Sequence, residues 1–257
     1  MALGRRLPEI RAKEVGTFMA QTAILHPAST VVLVRPDRSG NFEILMNRRP
    51  ETMDTYAGIY VFPGGRVETT DWSPAMLQLV RGPTPLEARQ ILSSESPPER
   101  CLGHWVAAVR ELFEEAGIQL FRRQDGALSE STGVASFNRL AEKRSALQKG
   151  EIDLPSLLEA EQLVCDLNPL NYFFHRITPD HYPVRFDTRF YLAALPPSQN
   201  SLHVSEEVSE SLWVTPQEAL DRYQTGSFPM MPPTLAVLRT LIGHRTWVAL
   251  CAAFPLG

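Results

Sequence analysis

AAVRELFEEAGI, residues 107–118, holds an arginine, three glutamates and a closing glycine within one helical stretch. At 100° per residue, Leu102, Trp105, Val106, Val109, Leu112, Phe113 and Ala116 share one side. Glu111, Glu114 and Glu115 stack at i, i+3 and i+4 on nearly the opposite side. Two readings follow from periodicity. Either the acidic face meets water, the default for an amphipathic surface helix, or three carboxylates are gathered around a cation. The like charges repel by roughly a few tenths of a kcal/mol per pair, with no lysine at i+4 to relieve them. They also crowd the C-terminal half, where the helix dipole disfavours anions. A divalent cation would relieve both, and carboxylate oxygens are the ligands that Mg²⁺ and Mn²⁺ prefer.

The helix begins near Pro97-Pro98 and closes at Gly117, a capping pattern at both ends. Upstream, STVVLVR (29–35) and FEILMNRR (42–49) flank a polar Gly-containing turn and predict a hairpin. GIYVFPGGRVE (58–68) is a strand broken by Pro63-Gly64-Gly65, a loop where backbone approaches something closely. Residues 71–99 change to Pro- and Ser-rich text with short helical pieces, PAMLQLV and PLEARQIL. Residues 127–161 read as a second helical insertion. Strands return in NYFFHRI (171–177), DTRFYLAAL (187–195) and ESLWV (210–214), followed by helices after Thr215-Pro216 and after MPPT (231–234). One α/β domain over 28–245 is expected, with helical insertions at about 72–101 and 127–161. An N-terminal extension (1–27) and a C-terminal tail (246–257) flank it.

The bulk numbers agree. The 257 residues are 44% hydrophobic and 21% charged, with a net charge of −4 and a pI near 5.9. Nucleic acid and anionic membrane are poor partners for such a chain, whereas a local basic pocket for a phosphorylated small molecule is compatible with it. Cys101, Cys165 and Cys251 form no CxxC pair, which argues against a disulfide framework and a structural zinc site and for the reducing cytoplasm. No signal-peptide pattern, no bilayer-length apolar run and no C-terminal peroxisomal address is read. The six histidines lack metal-ligand spacing, and no GxSxG elbow is present.

Taken together, Gly65, Asp71 and RELFEEAGI resemble the box of the Nudix hydrolases, G-x5-E-x7-REUxEExGU with U a bulky aliphatic. Arg110, Glu111, Leu112, Glu114, Glu115, Gly117 and Ile118 match its second half at every specified position. Asp71 stands where the family has Glu. Asp71 and Arg110 are 39 positions apart where the family has 8, so 31 residues split the box. A branch of the family, the coenzyme A diphosphatases of Nudix motif 19 type, is similar in carrying an insertion there. RFDTRFYLA (185–193) and the leucine-rich helix after PPT (232–241) also look like that branch. LMNRRPETMDTYAGIYVFPGG keeps the register of the coenzyme A motif LLTxRSxxLxxHxGxVxFPGG. Leu45, Arg49, Gly58, Phe62, Pro63, Gly64 and Gly65 agree, and Pro50, Met53, Tyr56 and Tyr60 do not.

The resemblance implies the Nudix fold, an α/β/α sandwich around a mixed β-sheet. It implies Mg²⁺ or Mn²⁺ held by Glu111, Glu114 and Glu115, with the Gly65 carbonyl as a further ligand and Arg110 orienting the glutamates. Asp71 is shorter than Glu, which weakens its claim to a metal role. The general base would come from a loop glutamate, Glu207 ahead of Glu206 and Glu210, although these three read equally well as a solvated turn. Arg49, Arg185 and Arg189, with Gly64, are the substrate-phosphate candidates, since guanidinium forks match phosphate oxygens. Arg189, in the same strand as Asp187, could instead make a structural cross-strand pair. The implied reaction is hydrolysis of a phosphoanhydride in coenzyme A or acyl-CoA, giving 3′,5′-ADP and (acyl-)phosphopantetheine. ADP-ribose, NADH, a nucleotide or capped RNA is the alternative substrate, and a non-catalytic nucleotide sensor the alternative class. A homodimer is compatible with all three.

Overall fold

A computed structural model describes residues 24–53, 56–125, 134–197, 199–200 and 208–256. Strands β1 (Leu25–Pro36) and β2 (Phe42–Arg48) form the expected antiparallel hairpin, with Val34 opposite Ile44. Short strands β3 (Tyr60–Val61) and β4 (Gly64–Arg66) are the two halves of the broken strand; β3 pairs with β2 and β4 with β1. After a 3₁₀ turn (Thr69–Trp72), the first insertion contains α1 (Pro74–Gln78), β5 (Val80–Arg81) and α2 (Pro85–Leu92). The acidic helix is α3 (Pro98–Ala116). It is followed by β6 (Phe121–Arg123), the second insertion with α4 (Val134–Gln148) and α5 (Leu154–Ala160), and β7 (Leu163–Asp166). Strands β8 (Asn171–Ile177), β9 (Arg185–Ala194) and β10 (Glu210–Val214) come next, then helices α6 (Pro216–Gln224), α7 (Pro232–Leu241) and α8 (Trp247–Ala253).

Among the described residues the main sheet has the order β10-β2-β1-β9-β8, with β3 and β4 alongside β2 and β1. β1 and β9 run parallel from Leu25↔Arg185 to Val34↔Ala194, and the other pairings are antiparallel, so the sheet is mixed. β1 is its spine. Val31 to Leu33 to Val34 are fully buried because both faces of the sheet are covered, which an unbroken VVLV run permits. Val31, Leu33, Leu45 and Tyr191 pack under α3, while Val32, Val34, Ile44 and Leu192 pack under α6–α8. The result is three layers, α/β/α. The stretch expected as a C-terminal tail contains α8, whose Leu250 is fully buried in the second core.

A three-stranded sheet, β5-β7-β6, was not expected from the sequence. Its strands are two to four residues long and too short to show a period. The acidic face of α3 also differs from the water-facing reading. Glu111 and Glu115 are 8% and 6% exposed. β1, β4, the 3₁₀ turn, α2 and α4 all pack against α3, and β4 meets its acidic face through Gly64 and Gly65.

Candidate active site

Gly64 and Gly65 sit where β4 crosses close to β1, and each is glycine for a steric reason. A Cβ on Gly64 would lie 2.5 Å from the Ser29 carbonyl oxygen, and one on Gly65 would overlap the Glu111 carboxylate. The Gly64 N–H donates to Glu115 Oε2 at 3.1 Å. The glycine loop and the acidic helix are therefore in direct contact, and Glu111, Glu115, Gly64 and Gly65 lie together.

Arg110 braces this assembly. Its Nε and Nη2 donate to Asp71 Oδ1 and Oδ2 at 2.8 and 2.9 Å, a bidentate bond that closes the 39-position gap in the box. Nη2 also donates to the Arg66 carbonyl at 2.8 Å, and Nη1 to Glu111 Oε1 at 2.8 Å and Glu114 Oε2 at 3.3 Å. Asp71 is 1% exposed and also accepts the Glu68 N–H. Burial works against both charges of the Arg110–Asp71 pair, but its hydrogen bonds keep Arg110 protonated, with a pKa above the ordinary arginine value. Asp71 thus holds Arg110 and the loop, and Arg110 in turn fixes the glutamates.

Glu111 and Glu114 line a cavity of about 690 Å³ with Arg110, Glu68, Thr70, Gln148, Glu151 and Asp153. Burial pushes Glu114 up to about 8; Arg110 opposes that rise, and Glu111, Glu68 and Asp71 add to it. Among the described residues no three acidic, His or Cys side chains already stand in metal-holding geometry, and Arg110 takes one oxygen each of Glu111 and Glu114. The donor set nevertheless fits a hard divalent ion, with the carboxylates of Glu111, Glu114 and Glu115 crowded beside Gly64 and Gly65. Glu68, three residues before Asp71, belongs to this cavity and was not singled out from the sequence. Its signal was its place within the box loop, RVETTD.

None of the arginines expected at substrate phosphate lines this cavity. Arg185 pairs with Asp180 and donates to the Thr178 carbonyl at 3.1 Å. Arg189 is 7% exposed and donates to Asp187 at 2.9 Å, with Asp187 also held by His175. The cross-strand reading of Arg189 becomes a same-strand pair, since Asp187 is two residues away. Arg49 closes the Pro50–Gly58 loop through its backbone, N–H to Ile59 and carbonyl from Gly58. Glu206 and Glu207 lie outside the described residues, and Glu210 accepts the Tyr60 hydroxyl at 2.8 Å. That bond and burial raise the Tyr60 phenol to about 12, burial being the larger cause.

The overall fold is shared with a solved protein. The crystal structure of a NUDIX hydrolase from Alicyclobacillus acidocaldarius matches over 90% of this chain and 96% of that one, with a TM-score of 0.74 at 28% identity. The fold is the Nudix fold. The profile of the NUDT19 Nudix domain matches residues 89–241, and the chain belongs to that family. It is similar to acyl-coenzyme A diphosphatase NUDT19 of Gallus gallus, at 29% identity over 228 residues, 75% of this chain and 59% of the relative. It is also similar to putative nudix hydrolase 7 of Caenorhabditis elegans, at 27% over 204 residues, 79% of this chain and 57% of the relative. The chain spans about three-fifths of the length of these curated relatives.

Proposed function

We propose that the chain is a metal-dependent Nudix diphosphatase that hydrolyses the phosphoanhydride of coenzyme A or acyl-CoA, giving 3′,5′-ADP and (acyl-)phosphopantetheine. The observation that carries the reaction class is the Arg110 brace, which gathers Glu111 and Glu114 on one cavity beside Gly65. The substrate rests on the name of the chicken relative and on the register of the LMNRRPETMDTYAGIYVFPGG stretch.

In this reading Glu111, Glu114, Glu115 and the Gly65 carbonyl hold Mg²⁺ or Mn²⁺. The ion, when bound, lowers the pKa of water and neutralises charge on the leaving phosphate. Arg110 keeps the carboxylates in place without touching substrate. Glu207 is our candidate for the general base and Arg49 for a substrate phosphate. Arg185 and Arg189 would first have to release Asp180 and Asp187. Cys101, Cys165 and Cys251 are free thiols, which supports a reducing compartment such as the cytoplasm. Among the described residues no helix is long and apolar enough to cross a membrane. We take the domain to extend past the expected bounds of 28–245, since β1 begins at Leu25 and α8 packs into the second core.

The test is a panel of coenzyme A, acyl-CoA, ADP-ribose, NADH and nucleotides with Mg²⁺ or Mn²⁺, followed by product mass. Coenzyme A cleavage to 3′,5′-ADP is expected, and cleavage of another member alone would reassign the substrate. Glu114→Gln and Glu115→Gln should abolish turnover with the fold intact. Unchanged rates would remove those residues from the site, and nucleotide binding without hydrolysis would make the chain a sensor.

A further inference from the structure

Helix α3 stops at Ala116, so the Glu114 carbonyl is among the last four that a helix leaves without an intrahelical partner. Two side chains of α4 reach it. Arg144 donates from Nε at 2.9 Å and Gln148 from Nε2 at 2.6 Å. The two are four residues apart on α4 and therefore share one face. Arg144 also brings a cation to the negative end of α3, next to the Glu114 carboxylate. This is the relief that no lysine within α3 supplies. Beyond Gln148, Gly150, Glu151, Ile152 and Asp153 form a wall of the cavity that Glu111 and Glu114 also line.

Apolar packing of α4 is already served by Leu140 and Leu147. An arginine and a glutamine converging on a single carbonyl have another effect. Together with the Gly117 N–H on the Phe113 carbonyl, they fasten the last turn of α3, the turn at which helices fray. Glu114 sits in that turn, and its carboxylate can stay in place only if its backbone does.

We infer that α4 is part of the working centre, with Arg144 and Gln148 as positioning residues that fix Glu114 by capping α3 from outside. The inference rests on the reading of Glu114 as a metal ligand given above. It assigns the second insertion a role in ordering the site.

The test uses the full chain, and the changes at Arg144 and Gln148 keep its charge. Gln148→Met removes one of the two bonds, and Arg144→Lys combined with Gln148→Met disturbs both while keeping the cation. Lys143→Met, which breaks the Lys143–Glu161 pair on the same helix, controls for loosened packing. Mn²⁺ binding, followed by the electron paramagnetic resonance of free Mn²⁺, should weaken roughly 10-fold in Gln148→Met. Its kcat should be recovered at saturating Mn²⁺. In metal-free protein, amide exchange of Gly117 and Ile118 should quicken in Gln148→Met and stay unchanged in Lys143→Met. Wild-type affinity in Gln148→Met, or equal weakening in Lys143→Met, overturns the proposal. If wild type binds no Mn²⁺, the metal reading itself falls, and exchange alone decides the clamp. Should Gln148→Met fail to fold, Gln148→Asn shortens the reach with polarity kept and is read the same way.

Discussion

Arg110 carries more of this site than any single glutamate does. Five hydrogen bonds leave its guanidinium, to Asp71, Glu111, Glu114 and the Arg66 carbonyl, in a place where it is 4% exposed. Such a charge is tolerated because it is fully paired, and removing one partner of a buried pair is costly. Asp71→Asn should therefore lower unfolding stability by about 3 kcal/mol, measured by urea titration, and reduce turnover through the released guanidinium. A stability within error of wild type would mean that Glu111 and Glu114 suffice to hold Arg110. At this scale the sequence was informative about identity and less so about role. The match of RELFEEAGI points to Arg110 and the glutamates, and the structure brings Arg110 into hydrogen-bond contact with Glu111 and Glu114. The weakened claim of Asp71 to a metal role leaves open what the carboxylate does, which is to anchor Arg110, a contact 39 positions away that spacing does not reveal.

At the level of elements, α3 combines a legible part with a hidden one. Its bounds follow from Pro98 and from Gly117, which caps the helix at φ 69° with its N–H on the Phe113 carbonyl. Its burial on both sides does not follow, since periodicity says which residues share a face and not what later segments lay over it. The same helix buries His104, 7% exposed, with Nδ1 3.1 Å from the Ser29 hydroxyl. Burial first, then the Arg189 charge, depress this imidazole from 6.5 to about 3, with Arg100 and His175 adding to the effect. Between those pH values the unfolded chain binds a proton that the folded chain does not. Stability therefore falls as pH drops through that window, by about 1.4 kcal/mol per pH unit, and is unaffected by this group above it. Urea midpoints of wild type and His104→Gln at pH 7.5 and 5 should show the larger acid loss in wild type. Parallel losses would assign the acid sensitivity to other groups.

Across the whole molecule, two cores share one sheet, and the second depends on a segment that sequence reading left as a tail. Leu250 is fully buried there, in the cluster that also holds residues of α7 and the sheet. Leu250→Ala should cost about 2–5 kcal/mol in urea or thermal unfolding, with turnover at 25 °C retained because the residue lies on the face away from α3. A change under 1 kcal/mol would show α8 to be peripheral. Long strands were legible because their alternation or unbroken apolar runs are intrinsic, as in NYFFHRI, which is β8 residue for residue. The small sheet was not, because strands of two to four residues exist only through their partners.

That small sheet has a historical corollary. β5 belongs to the first insertion, whereas β6 and β7 are the points where the second leaves and rejoins the domain. Cys165 donates its N–H to the Leu79 carbonyl at 2.7 Å and Leu167 to that of Arg81 at 2.8 Å, so the backbone of one excursion is hydrogen-bonded to the other. A descendant that lost the first excursion would leave β7 with a bare hydrogen-bonding edge, the kind of surface that recruits stray strands. The first excursion should therefore be hard to lose on its own.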